Sequence, residues 1–439
     1  MIGSSRQSAA LSSISKRVHA RFMPVAWNGI AYVVPRVAVL VAGLYVAHRW
    51  GQESFARYSL AAVTLMVVGN LVGASLGTVA SKYVPEFARG DATLLGRGFA
   101  SVLLLALGFS VTLSVAVICL APALARAFAV NPPITPLLEI SGVAIAACVL
   151  NGPAVGLLSG STKFKHAAFI SVLAGAAFAA SLVPLNDLAG PGGTLIALAA
   201  FYSVSAAAAL FIVRVQLRQD VRRSRGHEVR ARSITMLRYF APMLLAAGMI
   251  TPVVWLCNAL LARSANGLSE VARFSAGYNW FAVASSIPAV LAQVEFVRMS
   301  KSRATGDSKG LARALRLFVA QNLLFVAPVV IAGAAIAGTL MALFQVDDAQ
   351  ARLCLRLLLA SALVASLGNP AGMFLAVIDR IWIASLLNVG WACITLGCAT
   401  WLRGAGAVGV GVAFLIGYSV HFLVASTIAW KLVDRAPSR

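Results

Sequence analysis

The chain has 439 residues, of which 60% are hydrophobic and 11% charged, whereas soluble domains carry about 25% charged residues. A soluble protein of this length could not bury so much apolar surface, so we expect lipid to be its solvent. The formal net charge of +22 comes from 36 Lys and Arg against 14 Asp and Glu. In a soluble protein this charge would suggest nucleic acid. Here the basic residues fall in loops between apolar segments, so we expect no nucleic-acid partner.

Twelve apolar segments are long enough to cross a bilayer, which takes about 20 residues. In chain order they are residues 25–47, 57–81, 98–120, 137–160, 167–185, 194–213, 239–261, 272–296, 317–344, 353–377, 381–402 and 409–430. The first segment follows polar, basic residues and is too long for a signal-peptide core, so we expect it to be an uncleaved first span. The sequence predicts an all-α polytopic membrane protein.

The basic residues indicate how the spans are oriented. An even number of spans places both termini on one side. Twenty-seven Lys and Arg residues fall in the tails and loops of that side, and five fall on the opposite side. Basic residues concentrate in cytoplasmic loops. We therefore predict that both termini are cytoplasmic.

The two halves of the chain repeat at an offset of 216 residues. Residues 56–59 (ARYS) recur as 272–275 (ARFS), and residues 202–204 (YSV) recur as 418–420 (YSV). Because six spans separate the copies, both copies begin on the same side, as in parallel-repeat transporters. We predict two six-helix bundles around a central cavity. The predicted segments are a cytoplasmic tail (1–24), the first bundle (25–213), a basic cytoplasmic linker (214–238), the second bundle (239–431) and a cytoplasmic tail (432–439).

Arg36 is predicted to lie deep in the first span. It is about eleven residues from the start of that segment, or about 16 Å at 1.5 Å per residue. A charge at this depth costs several kcal/mol, and Pro35 beside it can open the helical backbone. This placement favours a water-filled cavity that faces a ligand. The alternative is a structural ion pair.

Arg57 and Arg273 occupy equivalent places near the outer ends of the second and eighth spans. Each side chain alone could simply extend to the membrane surface. Their symmetry favours ligand contact instead, because equivalent positions of two facing bundles can converge on one site. The sequence therefore predicts that both arginines bind substrate together with Arg36.

Pro153 and Pro370 interrupt the fourth and tenth spans, and each is next to Gly and Asn. Proline leaves a helical carbonyl without its donor, so each site is predicted to be a hinge, or alternatively a static kink. Asn70 and Asn279 are polar groups inside spans. They are predicted to contact substrate, although such residues also join helices to one another.

Few carboxylates lie near the spans. Glu295 precedes Arg298 by three residues, which suffices for a local ion pair, and Glu139 begins the fourth span. Buried positive charge with few acids points to an anionic substrate. No ATPase phosphate loop, no Ser/His/Asp arrangement and no Cys/His spacing of a metal site is present. We expect neither a cofactor nor enzyme activity.

Several short segments resemble those of bacterial polysaccharide flippases. Residues 50–60 (WGQESFARYSL) resemble the L-G-x-x-x-[FY]-G-x-Y-x-L opening of their second span. Residues 73–86 (GASLGTVASKYVPE), followed by 90–91 (GD), are similar to their G-x-x-x-A-x-x-[RK]-Y-x-P-E and G-D cytoplasmic turn. Residues 27–28 (WN) and 404–409 (GAGAVG) also fit. The chain is identified as a polysaccharide (O-antigen or exopolysaccharide) flippase of the multidrug/oligosaccharidyl-lipid/polysaccharide exporter superfamily.

The resemblance implies a transporter of the bacterial inner membrane that serves polysaccharide or lipopolysaccharide biosynthesis. Such proteins flip polyprenyl-pyrophosphate-linked oligosaccharides between two six-helix bundles, and cationic residues are thought to meet the pyrophosphate. Arg36, Arg57 and Arg273 are the matching candidates. The implied partners are the lipid-linked oligosaccharide, membrane lipids, glycosyltransferases and a polymerase. Ala56 departs from the family pattern, which has glycine there.

Two other functions remain open at this point. The first is an ion-coupled multidrug or small-molecule exporter of the same superfamily, for which Glu139 would be required, although the scarcity of acids in the core is unlike that branch. The second is a membrane polysaccharide polymerase, which would need an exposed loop carrying acid and base residues. The outer loops of this chain are short.

Overall fold

The computed structural model describes residues 3–88, 92–131, 133–160, 164–216, 240 and 249–434. Within these residues the backbone is helical apart from short turns, which confirms the predicted all-α class. The elements are α1 (Gly3–Leu65), a π-helical turn (Met66–Asn70), α2 (Leu71–Ala88), α3 (Ala92–Phe128), α4 (Thr135–Gly160), α5 (Phe164–Ala189), α6 (Pro191–Gln216), α7 (Ile250–Ala262), α8 (Gly267–Ala284), α9 (Ser286–Ala304), α10 (Ser308–Ala335), α11 (Ala337–Ala342), α12 (Ala349–Val377), α13 (Ile381–Trp401), a 3-10 turn (Arg403–Ala405) and α14 (Gly406–Asp434).

Each of the twelve predicted spans has a helical counterpart. Nine helices among the described residues are long and apolar enough to cross a membrane, and the first of them, Gly29–Ser81, contains two predicted spans. The seventh span is represented by α7 from residue 250 onward. The eighth span is divided at Ser285 into α8 and α9. Most of the predicted linker, from residue 217, lies outside the described residues.

Gly51 separates the first two spans within α1. Its φ of 80° and ψ of 175° lie outside the helical region, and the positive φ favours glycine, which has no Cβ to clash. The predicted N-terminal tail belongs to the same helix, since α1 begins at Gly3. The boundary expected near residue 50 therefore corresponds to a local break in one long helix.

Glycines bring α2 and α4 into backbone contact in the N-terminal bundle. A Cβ placed on Gly152 would lie 2.0 Å from the carbonyl oxygen of Gly73, and one on Gly156 would lie 2.2 Å from that of Gly77. Gly73 and Gly77 on α2, like Gly152 and Gly156 on α4, have the small-xxx-small spacing that lets membrane helices approach closely. The close approach strengthens van der Waals contact where lipid provides no hydrophobic drive for helix association.

The C-terminal bundle contains two clusters of buried side chains, one aromatic and one in which aliphatic residues outnumber aromatic ones. The aromatic cluster is formed by Phe274, Tyr278, Phe281, Trp391, Phe414 and Tyr418. The second cluster lies towards the ends of α9 and α14 and includes Met299, Phe318, Phe374 and Ala429. The cluster positions show that both halves of this bundle are closely packed.

The two bundles meet at the end of the molecule formed by Gly51 and the turns that follow α3, α7, α11 and α13. We call this the distal end. Here the Nε of Arg263 donates to the carbonyl oxygen of Ala127 at 2.7 Å, and the indole of Trp255 donates to the Thr64 hydroxyl at 3.0 Å. The rings of Phe55 and Phe344 are 5.0 Å apart. We call these contacts the distal latch, because they join the N-terminal and C-terminal bundles.

Candidate functional site

Arg36 lies on α1, and its guanidinium is held by a side chain one turn earlier. Its Nη2 donates to the hydroxyl of Tyr32 at 2.8 Å, and its Cζ lies 4.0 Å from the centroid of the Tyr32 ring. Its Nη1 is buried and has no hydrogen-bond partner among the described residues. The guanidinium carries five N–H donors, so Arg36 keeps donors available for an incoming acceptor.

The face of α1 that carries Arg36 is directed at the C-terminal bundle. Gly29, Arg36 and Gly43 are seven residues apart, or about two helical turns. A Cβ on Gly29 would lie 3.7 Å from a side-chain atom of α9, and one on Gly43 would lie 3.5 Å from Nδ2 of Asn279 on α8. Between these two contacts, Arg36 interacts electrostatically with Tyr278 of α8. The structure thus places Arg36 at the interface of the two bundles.

Asn279 and Asn70 are placed differently. Asn279 lies beside Gly43 at the same interface as Arg36, and its Nδ2 donates to the carbonyl of Ser275 at 3.0 Å. Asn70 ends the π-helical turn, where its Oδ1 accepts from Cys148 of α4 at 3.3 Å. Asn70 therefore joins α4 to the turn within the N-terminal bundle. The predicted contact of these two residues with substrate stays a prediction.

Arg57 is bound at the distal end by groups of its own bundle. Its Nη2 donates to Glu53 at 2.7 Å and to the carbonyl oxygen of Asn131 at 2.9 Å. The side chain of Arg57 is 16% exposed and that of Glu53 is 66% exposed. Asn131 belongs to the turn between α3 and α4. Arg57 therefore ties the start of the second span to that turn.

Arg273 is bound in the same way in the C-terminal bundle. Its Nε donates to Asp348 at 2.9 Å, and its Nη1 donates to Glu270 and to Gln350. Glu270 also accepts the backbone N–H of Ala407 at 2.6 Å. Burial opposes ionisation of Asp348, but the N–H of Ala351 and the guanidinium of Arg273 outweigh it, so the pKa of this carboxyl is lowered.

Arg57 and Arg273 make equivalent contacts in the two repeats. They are 216 residues apart, and their loop partners Asn131 and Asp348 are 217 apart. In each bundle the arginine joins the start of an even-numbered span to the turn two helices later. The structure thus preserves the symmetry expected from the sequence, and it engages both arginines in contacts within the chain. Their predicted contact with substrate stays a prediction.

Pro153 and Pro370 lie within continuous helices. Pro153 lies in α4 and Pro370 in α12, and both helices extend beyond the proline on either side. The carbonyl that Pro370 leaves without a helical donor is that of Ser366, and the Nδ2 of Asn322 donates to it at 2.7 Å. The donor thus comes from α10 and not from Asn369, which precedes the proline in the chain. The hinge role of both prolines stays a prediction.

Sequence reasoning did not identify the partners of these charged groups. Glu270 precedes the predicted eighth span and Asp348 lies in a distal turn, so neither counted as a buried acid. The spacing of three residues between Glu270 and Arg273 was the available signal, since such pairs meet on one helical face. The interaction of Asp348 with Arg273, 75 residues apart, had no such signal.

Comparison with known proteins places this arrangement in a family. The chain matches the polysaccharide biosynthesis protein family over residues 90–347, more than half of its length. A relative from Ralstonia nicotianae, the EPS I polysaccharide export inner membrane protein EpsE, is 22% identical over 285 residues. That match spans 64% of this chain and 64% of EpsE, so the chain matches somewhat under two thirds of the relative.

Solved structures share the fold at low identity. An inward-facing multidrug resistance MATE family transporter of the MOP superfamily superposes with a TM-score of 0.78 at 18% identity, covering 92% of this chain and 95% of that one. An outward-facing transporter of the same description gives 0.69 at 16% identity, covering 95% and 96%. These likenesses confirm the predicted two-bundle fold. Together with the match over residues 90–347, they establish that this chain is a multi-pass membrane protein of the polysaccharide biosynthesis protein family.

Proposed function

We propose that this protein is an inner-membrane flippase that moves a polyprenyl-pyrophosphate-linked oligosaccharide, the repeat unit of a polysaccharide, from the cytoplasmic to the outer leaflet. Both termini are cytoplasmic in this proposal. The observation that carries it is the guanidinium of Arg36, which lies between the two bundles and whose buried Nη1 has no hydrogen-bond partner in the described part of the chain. A cation in this position requires an anionic partner, and a pyrophosphate supplies one.

The chemistry of Arg36 suits a phosphate ligand. A guanidinium is planar, stays charged and presents its donors in a fork that matches phosphate oxygens. Tyr32 occupies one arm of the fork and orients it, which leaves the other arm for the ligand. A charge inside a bilayer costs several kcal/mol. A bound pyrophosphate offsets that cost and so favours substrate-loaded over empty protein.

Alternating access follows from the position of Arg36. The α1 helix packs against α8 and α9 of the other bundle, so a rocking movement of the bundles changes the surroundings of the guanidinium. A ligand shifts such an equilibrium only if it binds the two states with different affinity. The sugars cross between the bundles, where Asn279 and Tyr278 offer hydrogen bonds, while the prenyl chain remains in lipid.

The role of a related protein supports the proposal. EpsE is described as an exporter of the EPS I polysaccharide in the inner membrane. A shared family and a shared transporter fold favour a non-enzymatic exporter for this chain. The lipid-linked oligosaccharide as substrate, and glycosyltransferases and a polymerase as partners, are part of the proposal.

An ion-coupled multidrug exporter is the alternative function. It was expected to depend on Glu139, and this residue is exposed near the start of α4. The structural likeness to MATE transporters concerns the fold. The guanidinium of Arg36 at the bundle interface favours an anionic substrate over a cationic drug.

The test is polysaccharide export in cells that lack their own flippase and express this chain. We expect Arg36→Ala to reduce export about 10- to 100-fold, since a hydrogen bond to a charged group contributes about 1.5–3 kcal/mol. Arg36→Lys should retain part of the activity. Arg352→Ala is the matched control, because Arg352 is exposed at the distal end and pairs with Asp347. Wild-type export by Arg36→Ala, at equal membrane abundance, would disprove the proposal.

A further inference from the structure

A carboxylate is buried inside the C-terminal bundle, away from the interface that carries Arg36. The side chain of Glu295 on α9 is 2% exposed. Arg298, one turn later on the same helix, donates through Nη1 to both carboxylate oxygens, at 2.9 and 3.1 Å. The side chain of Arg298 is 46% exposed. The negative charge is therefore enclosed by protein, while its counter-charge reaches the surface and can leave.

The helix facing Glu295 provides an amide that can interact with either form of the carboxyl group. The side-chain amide of Gln321 on α10 lies beside the Glu295 carboxylate and acts on it electrostatically. Its Oε1 is buried and has no partner among the described residues. The last torsion of a glutamine side chain is broad and roughly two-fold. Rotation about it would present Oε1, an acceptor, to a carboxyl that carries a proton.

Arg298 is the charged group that acts on Glu295 within the described part of the chain. The helices that pack against α9 are α1, α8, α10 and α12. The charged groups of α10 at this end, Lys309, Arg313 and Arg316, are exposed. The charged groups of α8 and α12 lie towards the distal end. On α1, the guanidinium of Arg36 is hydrogen-bonded to Tyr32. Among the described charged side chains, Arg298 is thus the one that is paired with Glu295.

We propose that Glu295 is a reversible proton-binding site of the C-terminal bundle. A proton from water is transferred to one carboxylate oxygen. The ion pair with Arg298 ends, the guanidinium turns to solvent, and the amide of Gln321 rotates so that its Oε1 accepts the new O–H. Because α9 continues from α8 at Ser285, the change in packing between α9 and α10 reaches the helix that faces Arg36. The link of this site to transport rests on the proposed function, but proton binding itself does not.

Proton binding is measured first without any substrate. Purified full-length protein in lipid nanodiscs is acidified, and infrared difference spectra are recorded for the carbonyl stretch of protonated carboxylic acids. We expect a band that Glu295→Gln removes and that Glu139→Gln, an exposed control, leaves unchanged. The pH at which the band develops should rise in Arg298→Gln, because the stabilising positive charge is gone. Spectra of wild type and Glu295→Gln that are identical would overturn the inference.

Folding and transport are then separated from proton binding. Glu295→Gln keeps the size of the side chain, and Gln321→Leu is a second variant that keeps Glu295 but removes the rotating amide. Gln321→Leu should retain the band with a changed midpoint, so an unchanged midpoint contradicts the amide switch. In the export assay, the dependence of the export rate on cytoplasmic pH should be at least tenfold weaker in Glu295→Gln than in wild type. A proton band without any export activity would instead count against the proposed function.

Discussion

Asn322 on α10 donates its side-chain N–H to the carbonyl oxygen of Ser366 on α12, at 2.7 Å. Ser366 is four residues before Pro370, whose ring nitrogen has no hydrogen for that carbonyl. Asn322 is fully buried, so water does not reach this bond. Asn322 therefore replaces the hydrogen-bond donor that proline removed. The same bond joins α12 to α10 beside Pro370.

Asn322→Leu should destabilise the protein by about 1–3 kcal/mol, because it leaves the Ser366 carbonyl buried without a donor. The double variant Asn322→Leu with Pro370→Ala regains the helical hydrogen bond and should recover much of this loss. Thermal unfolding in detergent, followed by fluorescence, measures the four members of the cycle. An equal cost of Asn322→Leu in both backgrounds would show that Asn322 does not compensate for the proline.

Gly152→Ala should destabilise the N-terminal bundle by about 1–3 kcal/mol, the usual range for overpacking. A Cβ at this position would lie 2.0 Å from the carbonyl oxygen of Gly73, so α2 and α4 must separate. Gly108→Ala on α3 is the matched control, because a Cβ there meets no atom within 4 Å. The control should be neutral or stabilising. Equal melting temperatures for the two variants would contradict the proposed backbone contact.

Arg263→Ala should weaken the distal latch and increase the population in which the distal ends are separated. Arg263 donates to Ala127 across the bundle interface, at the carboxyl end of α3 where helical carbonyls lack partners. Spin labels at Leu188→Cys and Trp401→Cys, both largely exposed near the distal end of opposite bundles, report the distance between them. Arg352→Ala, which breaks a contact within one bundle, should leave the distance distribution unchanged.

Arg273→Ala should lower stability by about 1–3 kcal/mol, since it removes the charged partner of Glu270 and Asp348. If the arginine serves this contact alone, export per folded molecule stays near wild type. If it also binds pyrophosphate, as the sequence predicts, export falls beyond the loss of protein. Arg57→Ala provides the equivalent measurement in the N-terminal bundle. Export normalised to membrane abundance distinguishes the two roles.

The distal carboxylates should make stability fall at acid pH. The pKa of Asp347 is lowered by its hydrogen bond from Arg352, and that of Asp348 is lowered by Ala351 and Arg273 against the effect of burial. A lowered pKa stabilises the fold above the unfolded value of about 3.9, and this contribution is lost as pH falls through the folded pKa. We expect these two carboxylates to leave the melting temperature unchanged from pH 8 to about pH 5. Below about pH 4 the melting temperature should decrease. Asp348→Asn should weaken the decline, and Asp379→Asn should not.

The helices themselves were predictable, because spanning a bilayer requires a long apolar segment. Length and apolar composition can both be read from consecutive residues of the sequence. The predicted break between the first two spans corresponds to Gly51. The division of the eighth span at Ser285 was not predicted, although Ser285, Ser286 and Pro288 form a pattern typical of a helix start. The sequence contains the glycine spacing on α2 and α4, but no contact between these helices was predicted from it.

The site was predictable in part. Arg36 stood out because a charge deep in an apolar segment is costly, and the structure places it between the bundles. Two partners of Arg57 and Arg273, Glu53 and Glu270, lie one helical turn away and were predictable from spacing. Asn131 and Asp348 were not, since they lie about 75 residues away in the chain. Glu295 and Arg298 were predicted as a local ion pair from their spacing, and the structure contains it. The amide of Gln321 that completes their surroundings comes from another helix.

By itself the sequence determined an all-helical membrane protein of twelve spans in two related halves, because in lipid every backbone polar group must find its partner within a helix and the apolar segments have the length to do so. The tertiary structure alone decided which polar groups are engaged and which stay available. That choice depends on how neighbouring helices pack, which brings Asn322 to Ser366 and Arg273 to Asp348, whereas Nη1 of Arg36 meets no hydrogen-bond partner among the residues that the structure describes.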